Sequence, residues 1–443
     1  MDMVTGSSEA LPLSVSSAGG ASGFSDRDSV RARTPTRLLV LSSDTYPPKR
    51  VDVCVLFAEQ LGGRGHEIDW LLQSEDACSA AFTRRWHNGS AWVGPTDLGD
   101  SLLSRIRKHM LGIAHDLRVF GLIRKGDYDV VVVKDKFVSG LVALLAARLR
   151  GSRFVFWLSY PFAESYLSRA RDGTSRYPFL YRVWGGFFWL ALYRVLLPAA
   201  DHVFVQSEQM RRDVAANGID PNKMTAVPMG VRAAMASSPA SEQPRALIPA
   251  DEKCFLYVGT LTRVRRLDFL VRVLAAVRRS IPQAKLYFVG SGDDPRDEQL
   301  LREETARLGL DGAVVLVGQK THEEAMRYVR EADVCVSPFF PTPILNSTSP
   351  TKLVEYMALG RPVVGNDHPE QSLVIGESGA GYCVPWSEEA FAQAIVRLLE
   401  APEAARSMGE RGRQYVLEHR SYEAISTLVE AELLKLARAG RQR

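Results

Sequence analysis

Cysteine is scarce, with five residues in 443, at 54, 78, 254, 335 and 383, no close pair and no CxxC. An odd, scattered set excludes a disulfide framework and reads as buried free thiols in a reducing compartment. The eight histidines show neither HExxH nor paired-ligand spacing, so no structural metal is expected. GxxxxGK[ST] is absent, which excludes a P-loop. "GSGDDP" (290–295) follows an apolar run but carries Pro295 where a dinucleotide fingerprint needs its third glycine. "DYD" (127–129) reads as the polar start of a strand rather than a metal-binding pair. The net charge of +4 is too weak to call for nucleic acid. "LPLSVSSAGGASG" lacks a continuous apolar stretch after a basic start, so no cleaved secretory signal is expected. Residues 1–35 read as a disordered tail.

What is present is globular material for more than one core. A chain of 443 residues with 46% apolar and 24% charged side chains suits two domains of ordinary size. From "TRLLVLSSDTYPPKR" onward, continuous apolar runs alternate with helix-period segments. "HEIDWLL", "DYDVVVVKDK", "SRFVFWLSYP" and "DHVFV" read as strands, with "VDVCVLFAEQLGGRGH" and "GLVALLAARLRG" among the helices between them. Fully apolar strands belong to a parallel sheet covered on both faces. Residues 233–250, rich in Ser, Pro and Ala, read as a linker. The alternation restarts with "CFLYVGTL", "KLYFVGSG", "AVVLVGQK", "DVCVSPF" and "RPVVG". The expected architecture is α/β: two tandem doubly wound Rossmann-like domains at 36–232 and 251–420, then a C-terminal helix at 421–443. The interdomain cleft is the expected ligand site.

Two stretches of the second unit suit an anion. In "SPTKLVEYMALGRPVVG" (349–365), Ser349 can cap a helix and Pro350 can open it, because the first helical N–H has no partner to lose. The free N–H groups of Thr351 and Lys352, the helix dipole and the Lys352 ammonium then converge. Gly360 and Pro362 end the helix. The plain alternative is an ordinary helix packed by Leu353, Met357 and Ala358, with Glu355 pairing to Lys352 at i, i+3 on the surface. In "YVGTLTRVRRLDF" (257–269), Gly259 permits close backbone approach, and Arg263, Arg265 and Arg266 supply forks suited to phosphate. A solvated basic turn is the plain alternative there. Two such loops at strand ends of one domain are most simply explained by a phosphorylated ligand.

These segments resemble glycosyltransferase family 4, retaining enzymes of the GT-B fold. "SPTKLVEYMALGRPVVG" is similar to the family signature. "EQLGGRGHEIDWL", "DHVFVQSEQMRRDVAANGIDPNKMTAVPMGV", "YVGTLTRVRRLDFLVRVL", "GLDGAVVLVGQ" and "YVREADVCVSPF" follow the family's order over roughly residues 36–420. The resemblance implies a nucleotide-diphosphate sugar, UDP- or GDP-linked, on the C-terminal domain. It implies that Glu355 holds the ribose hydroxyls and that the helix start at Thr351 and Lys352, flanked by Ser349 and Leu353, contacts the diphosphate. Arg265 matches the usual basic residue after the first strand of that domain, with Gly259 and Thr260 as further donor-binding candidates, and the backbone at Gly318, Gln319 and Lys320 matches the base-binding strand end. The chain also departs from the family's pattern. Ser347 stands where a glutamate is usual, and Thr260 where an arginine is common, with Arg263 a stand-in. "PPKRVD" replaces a Gly-Gly loop. Ser159 or Tyr160 replaces a histidine, with Glu164 as a neighbouring polar candidate.

Transfer from such a donor builds negative charge on the departing diphosphate. Fixed cations at Arg263, Arg265 and Lys352 would stabilise that transition state without a metal or cofactor. The family's retained stereochemistry needs no side-chain nucleophile, and none is assigned. The acceptor falls to the N-terminal domain. "YPFLYRVWGGFFWLALYRVLLPAA" (177–200) is dense in aromatics, yet Arg182, Arg194 and Gly185-Gly186 argue against a membrane span. It reads as a buried helix or as one lying partly in a membrane interface. With the basic stretch at 101–126 it points to a glycan or lipid-linked acceptor, and to a cytoplasmic protein with the membrane surface as a candidate partner. The competing functions are a nucleotide-sugar epimerase of the same fold and an idle nucleotide-sugar-binding scaffold. No set of acid/base carboxylates and histidines stands out for the first, and Ser347 suggests the second.

Overall fold

The computed structural model describes residues 35–99, 101–125, 128–172, 177–237, 245–292 and 294–441. The expected tail lies outside that set apart from Pro35, as do Asp127, Asp293 and residues 238–244 of the expected linker.

The described strands form two sheets. The first holds β1 (Arg37–Tyr46), β2 (Glu67–Ser74), β3 (Phe82–Arg85), β4 (Ser90–Gly94), β5 (Val130–Lys134), β6 (Arg153–Leu158), β7 (His202–Val205) and β8 (Met224–Ala226). Its order is β3-β4-β2-β1-β5-β6-β7-β8, and β3–β4 is the antiparallel pair. The second holds β9 (Cys254–Val258), β10 (Lys285–Val289), β11 (Val314–Gly318), β12 (Val334–Ser337), β13 (Val363–Asn366) and β14 (Gly381–Val384). Its order is β11-β10-β9-β12-β13-β14, parallel throughout. Both are doubly wound, as the apolar runs require: Val130–Val133 are buried from either side, so nothing in β5 alternates. The edge hairpin β3–β4 is new, because "FTRR" is largely exposed and carries no apolar run.

The helices that matter to the site follow in chain order. α1 (Leu102–Asp116), α2 (Val119–Lys125), α3 (Phe137–Arg150), α4 (Phe162–Arg171), α5 (Pro178–Ala191) and α6 (Glu208–Ala216) belong to the first unit. α7 (Asp268–Val277), α8 (Pro295–Arg307), α9 (His322–Glu331), α10 (Thr351–Ala358) and α11 (Tyr422–Arg441) follow. α1 to α6 cover one face of the first sheet, where Ile123, Ala143, Phe188 and Met210 pack on Val131, Val133 and Phe156. A helix of wide turns over Asp52–Leu61 covers the other face. α11 joins it there: Tyr422, Val429 and Leu433 pack with Phe57 on Val40 and Trp157. The C-terminal helix thus crosses back to the first sheet, pinned by Arg64 Nη1 on Glu430 (2.7 Å). The Asp52–Leu61 helix and α11 thus share one layer.

Two expectations change. Of the five cysteines only Cys254 and Cys335 are buried, while Cys54, Cys78 and Cys383 are partly exposed. The aromatic run at 177–200 is not a plain core helix. It breaks at a wide turn over Leu192–Leu196, and Gly185 lets α5 lie close against Leu167 and Tyr166 of α4. Much of its outer face is exposed. Among the described residues, no helix is long and apolar enough to cross a membrane.

Strand order reverses between β9 and β12 in the second sheet and between β1 and β5 in the first. In open α/β sheets ligands bind outside the carboxyl ends of the strands at such reversals.

Candidate active site

Three neighbouring strands of the second sheet finish at a glycine with positive φ. Gly259 follows β9 (φ 141°), Gly290 follows β10 (φ 139°), and Gly318 ends β11 (φ 80°). Gly290 N–H donates to Gly318 O (3.0 Å) and Gly259 N–H to Val289 O (3.0 Å). A Cβ on Gly290 would stand 2.2 Å from Gly259 O. The result is a floor without side chains that leaves backbone open to a ligand.

The start of α10 faces the Gly259 end of this floor: Lys352 Nζ lies 3.5 Å from where a Cβ on Gly259 would stand. The first N–H groups of a helix have no intrahelical partner, and no side chain caps this one. The expected Ser349 cap is not formed. Pro350 flanks the helix, and Ser349 Oγ accepts from Met229 N–H (3.0 Å) in the first unit instead. Lys352 Nζ donates to the Tyr257 hydroxyl (2.8 Å) and sits 4.2 Å from that ring's centre. The Lys352–Glu355 ion pair is not formed either. Lys352 turns back over Tyr257, and Glu355 Oε1 lies 3.9 Å from His322 Nε2 instead.

Burial holds the Lys352 amine well below its ordinary range, and the like charge of Arg265 adds to this. Burial raises the Glu355 carboxyl to about 7, with Lys352 opposing. Two desolvated charges that do not bond each other are costly to a fold. Groups perturbed in this way are concentrated at functional sites.

The basic loop divides. Arg265 Nε donates to Thr260 Oγ1 (3.0 Å), which keeps its guanidinium beside Gly259 and Lys352. Arg263 turns away: its N–H (3.2 Å) and Nε (3.1 Å) both reach Asp297 Oδ1 in the first turn of α8. The structure therefore brings Arg265, and not Arg263, to Lys352. Arg266 lies over the Phe340 ring, at 5.4 Å. Gln319 and Lys320 are exposed beyond Gly318, with Gln319 Oε1 accepting from Ser291 Oγ (2.6 Å). The Leu353 side chain is in the core, which leaves only its N–H for a ligand.

Sequence reasoning missed Tyr257, Tyr356, His322 and Gly290. Tyr356 Oη accepts from Val258 N–H (2.8 Å) and so ties α10 to the end of β9. Each of these tyrosines lies in an apolar run and is indistinguishable there from ordinary core.

The departures noted above also find places. Ser347 Oγ donates to Asp213 on α6, and Ser347 O accepts from Ser207 Oγ (2.7 Å). That position is an interdomain tie. At the reversal of the first sheet, Lys134 Nζ lies 3.2 Å from Asp135 and 3.3 Å from Asp52. Arg50 grips Asp52 through Nε (3.1 Å) and Nη2 (3.0 Å). Ser159 N–H donates to Asp135 (2.8 Å). Burial works against the Asp52 carboxylate, but Lys134 and Arg50 hold it below its ordinary range. "PPKRVD" and Ser159 therefore belong to one buried charged network. Glu164 accepts from the Tyr193 hydroxyl (2.7 Å), and its other oxygen is buried with no hydrogen-bond partner among the described residues.

Comparison with known proteins agrees with this layout. A family profile described as "Glycosyl transferases group 1" matches residues 252–401, and one described as "Glycosyl transferase 4-like domain" matches residues 52–230. A D-inositol 3-phosphate glycosyltransferase from Segniliparus rotundus is 27% identical over 198 residues, 44% of this chain and 43% of that protein. One from Kineococcus radiotolerans is 27% identical over 235 residues, 49% of this chain and 53% of that protein. The amylovoran biosynthesis glycosyltransferase AmsK of Erwinia amylovora is 30% identical over 145 residues, 32% of this chain and 34% of that protein. The matched region is about half the length of the first two relatives. Among solved structures, the sucrose-phosphate synthase of Thermosynechococcus elongatus superposes with a TM-score of 0.69 at 21% identity, over 91% of this chain and 100% of that one. HepE of Anabaena, in complex with UDP, gives 0.64 at 14% identity, over 90% and 100%. Likeness at that identity concerns the fold. With a 4-like first half, a group 1 second half and two doubly wound sheets, the chain belongs to the family 4 glycosyltransferases of the GT-B fold.

Proposed function

We propose that the protein moves a glycosyl group from a UDP-linked sugar to a hydroxyl of a glycan or lipid-linked acceptor, with retained anomeric configuration. The observation that carries this reading is the pair Lys352 and Glu355. They sit one turn apart at the start of α10, desolvated and not bonded to each other. An amine beside free helix N–H groups suits a diphosphate. A carboxylate one turn on suits a ribose diol. UDP is favoured over GDP because the similar HepE was crystallised with UDP and with UDP and glucose. A similar trehalose-phosphate synthase from Burkholderia xenovorans is described as UDP-forming.

In the proposed reaction the bond from the anomeric carbon to the diphosphate oxygen breaks. The acceptor oxygen bonds to that carbon, and its proton passes to the departing diphosphate. Lys352 and Arg265 face the growing charge, so they stabilise the transition state more than the ground state. Diphosphate arrival also favours the protonated amine of Lys352. Gly318, Gln319 and Lys320 would flank the base. AmsK's role in amylovoran biosynthesis supports a polysaccharide or glycoconjugate product. Isomerisation would need an acid/base set around the sugar, and among the described residues the titratable side chain within 4 Å of Glu355 is His322.

Thermal melting with UDP and GDP, followed by UDP release from a panel of UDP-sugars with acceptor extract and EDTA, tests the proposal. Stabilisation by UDP and turnover that survives chelation are expected. No stabilisation by any nucleoside diphosphate overturns the donor reading. Binding without release across the panel favours the idle scaffold, and loss of turnover restored by magnesium overturns the purely cationic account.

A further inference from the structure

We infer that the outer face of the first unit's helical layer docks onto an anionic lipid bilayer. This inference is independent of the transferase reading. α1, α2, α3 and α5 all pack on one face of the first sheet, and their outer sides expose large apolar groups. Phe179 is 79% exposed, Trp184 45% and Leu190 55% on α5; Leu103 is 78% and Met110 60% on α1; Leu149 is 68% on α3. Soluble surfaces carry such residues singly, whereas here neighbouring helices share them. α5 is anchored from beneath by Phe188 and Trp189.

The charge of this face selects its occupant. Between residues 101 and 199, Asp172 is the one exposed acidic residue among the described residues. Arg118, Arg124, Arg150, Arg182 and Arg194 are exposed in the same segment. Between α2 and α3 runs a groove of about 590 Å³, lined by Phe120, Gly121, Arg124, Ala146, Leu149 and Arg150. Neither of its arginines forms an ion pair among the described residues. Apolar walls with two unpaired guanidinium groups suit the phosphate and upper acyl carbons of an anionic lipid. A second copy of the chain, packed face to face, would set these arginines against each other. An anionic headgroup layer satisfies them while Trp, Phe and Leu enter the interface. α4 starts just beyond the carboxyl end of β6 and α5 packs on α4, so α5 lies towards the carboxyl edge of the sheet, whereas Leu149 and Arg150, just before β6, lie towards its amino edge.

The test is flotation of the full chain with phosphatidylcholine vesicles and with vesicles containing phosphatidylglycerol, at low and high salt. Binding to the anionic vesicles at low salt and release at high salt are expected. Arg124→Gln and Arg150→Gln should each lower partitioning about fivefold. Phe179→Ser with Trp184→Ser should abolish it. Both sets change exposed residues, so melting temperature and circular dichroism should hold. Equal behaviour with neutral and anionic vesicles overturns the inference. So does a concentration-dependent dimer, seen by light scattering, that Phe179→Ser with Trp184→Ser dissolves while vesicle binding is absent.

Discussion

Burial raises the Glu355 carboxyl to about 7, so the folded chain holds this proton more tightly than the unfolded chain does. Its contribution is then most favourable below the ordinary carboxylate range and is lost as pH rises towards 7. Above that, the fold bears the cost of a largely desolvated charge. Glu355→Gln should therefore raise the melting temperature of the ligand-free chain at pH 8 and leave it unchanged at pH 4.5. UDP affinity should fall about tenfold at pH 8, from loss of a charged acceptor, and the gap should narrow at pH 6. Melting and calorimetric titration at each pH check both signs; UDP affinity equal to the parent's at pH 8 would place the donor site elsewhere. A second contrast separates two arginines of one run. Arg265→Ala should lower kcat roughly 10²-fold, whereas Arg263→Ala, whose guanidinium is held by Asp297, should cost less than about threefold. Steady-state rates with saturating donor decide it, and equal losses would contradict the observed division. Residue type alone offered both arginines equally. The short turn over Arg263–Arg265 sends them opposite ways.

At the scale of elements, the strands were legible because buried parallel strands read as unbroken apolar runs. Gly259 and Gly318 were legible as candidate ligand contacts, but Gly290 and the alignment of all three were not. Their alignment depends on β9, β10 and β11 lying side by side, which no local pattern states. Gly290→Ala puts a Cβ against Gly259 O at a backbone angle that L-residues avoid. Strain of about 1–3 kcal/mol should lower the melting temperature by a few degrees and weaken UDP binding, read in one thermal-shift titration. A parent-like response would mean the floor is more pliant than its geometry indicates. The start of α10 was predicted one residue early, because Ser349 has the chemistry of a cap but is claimed by Met229. The exposure of α5 was legible only as one of two alternatives. Aromatic density looks the same in a core helix as in an interfacial one.

Across the whole molecule, α11 and the segment 347–349 join the halves. Ser347 reaches Asp213, Ser349 reaches Met229, and α11 leaves the second unit to complete the core of the first. Leu433 is 1% exposed in that core. Leu433→Ala should cost about 2–5 kcal/mol, seen as a lower urea midpoint in the fluorescence of Trp70 and Trp157. An unchanged midpoint would show that α11 is an accessory and not part of the first unit's core.

The sequence by itself determined two doubly wound units and the anion-suited chemistry of the stretches at 257–269 and 349–365. Those properties are written in local periodicity and in side-chain chemistry a few residues apart. Only the tertiary structure decided which charges meet. Lys352 finds Tyr257, 95 positions away, rather than Glu355 three positions on. Arg50, Asp52, Lys134 and Asp135 meet at the carboxyl ends of β1 and β5 because those strands are neighbours. Strand order and helix crossing set these encounters, and both are settled by burial of whole faces rather than by any single segment.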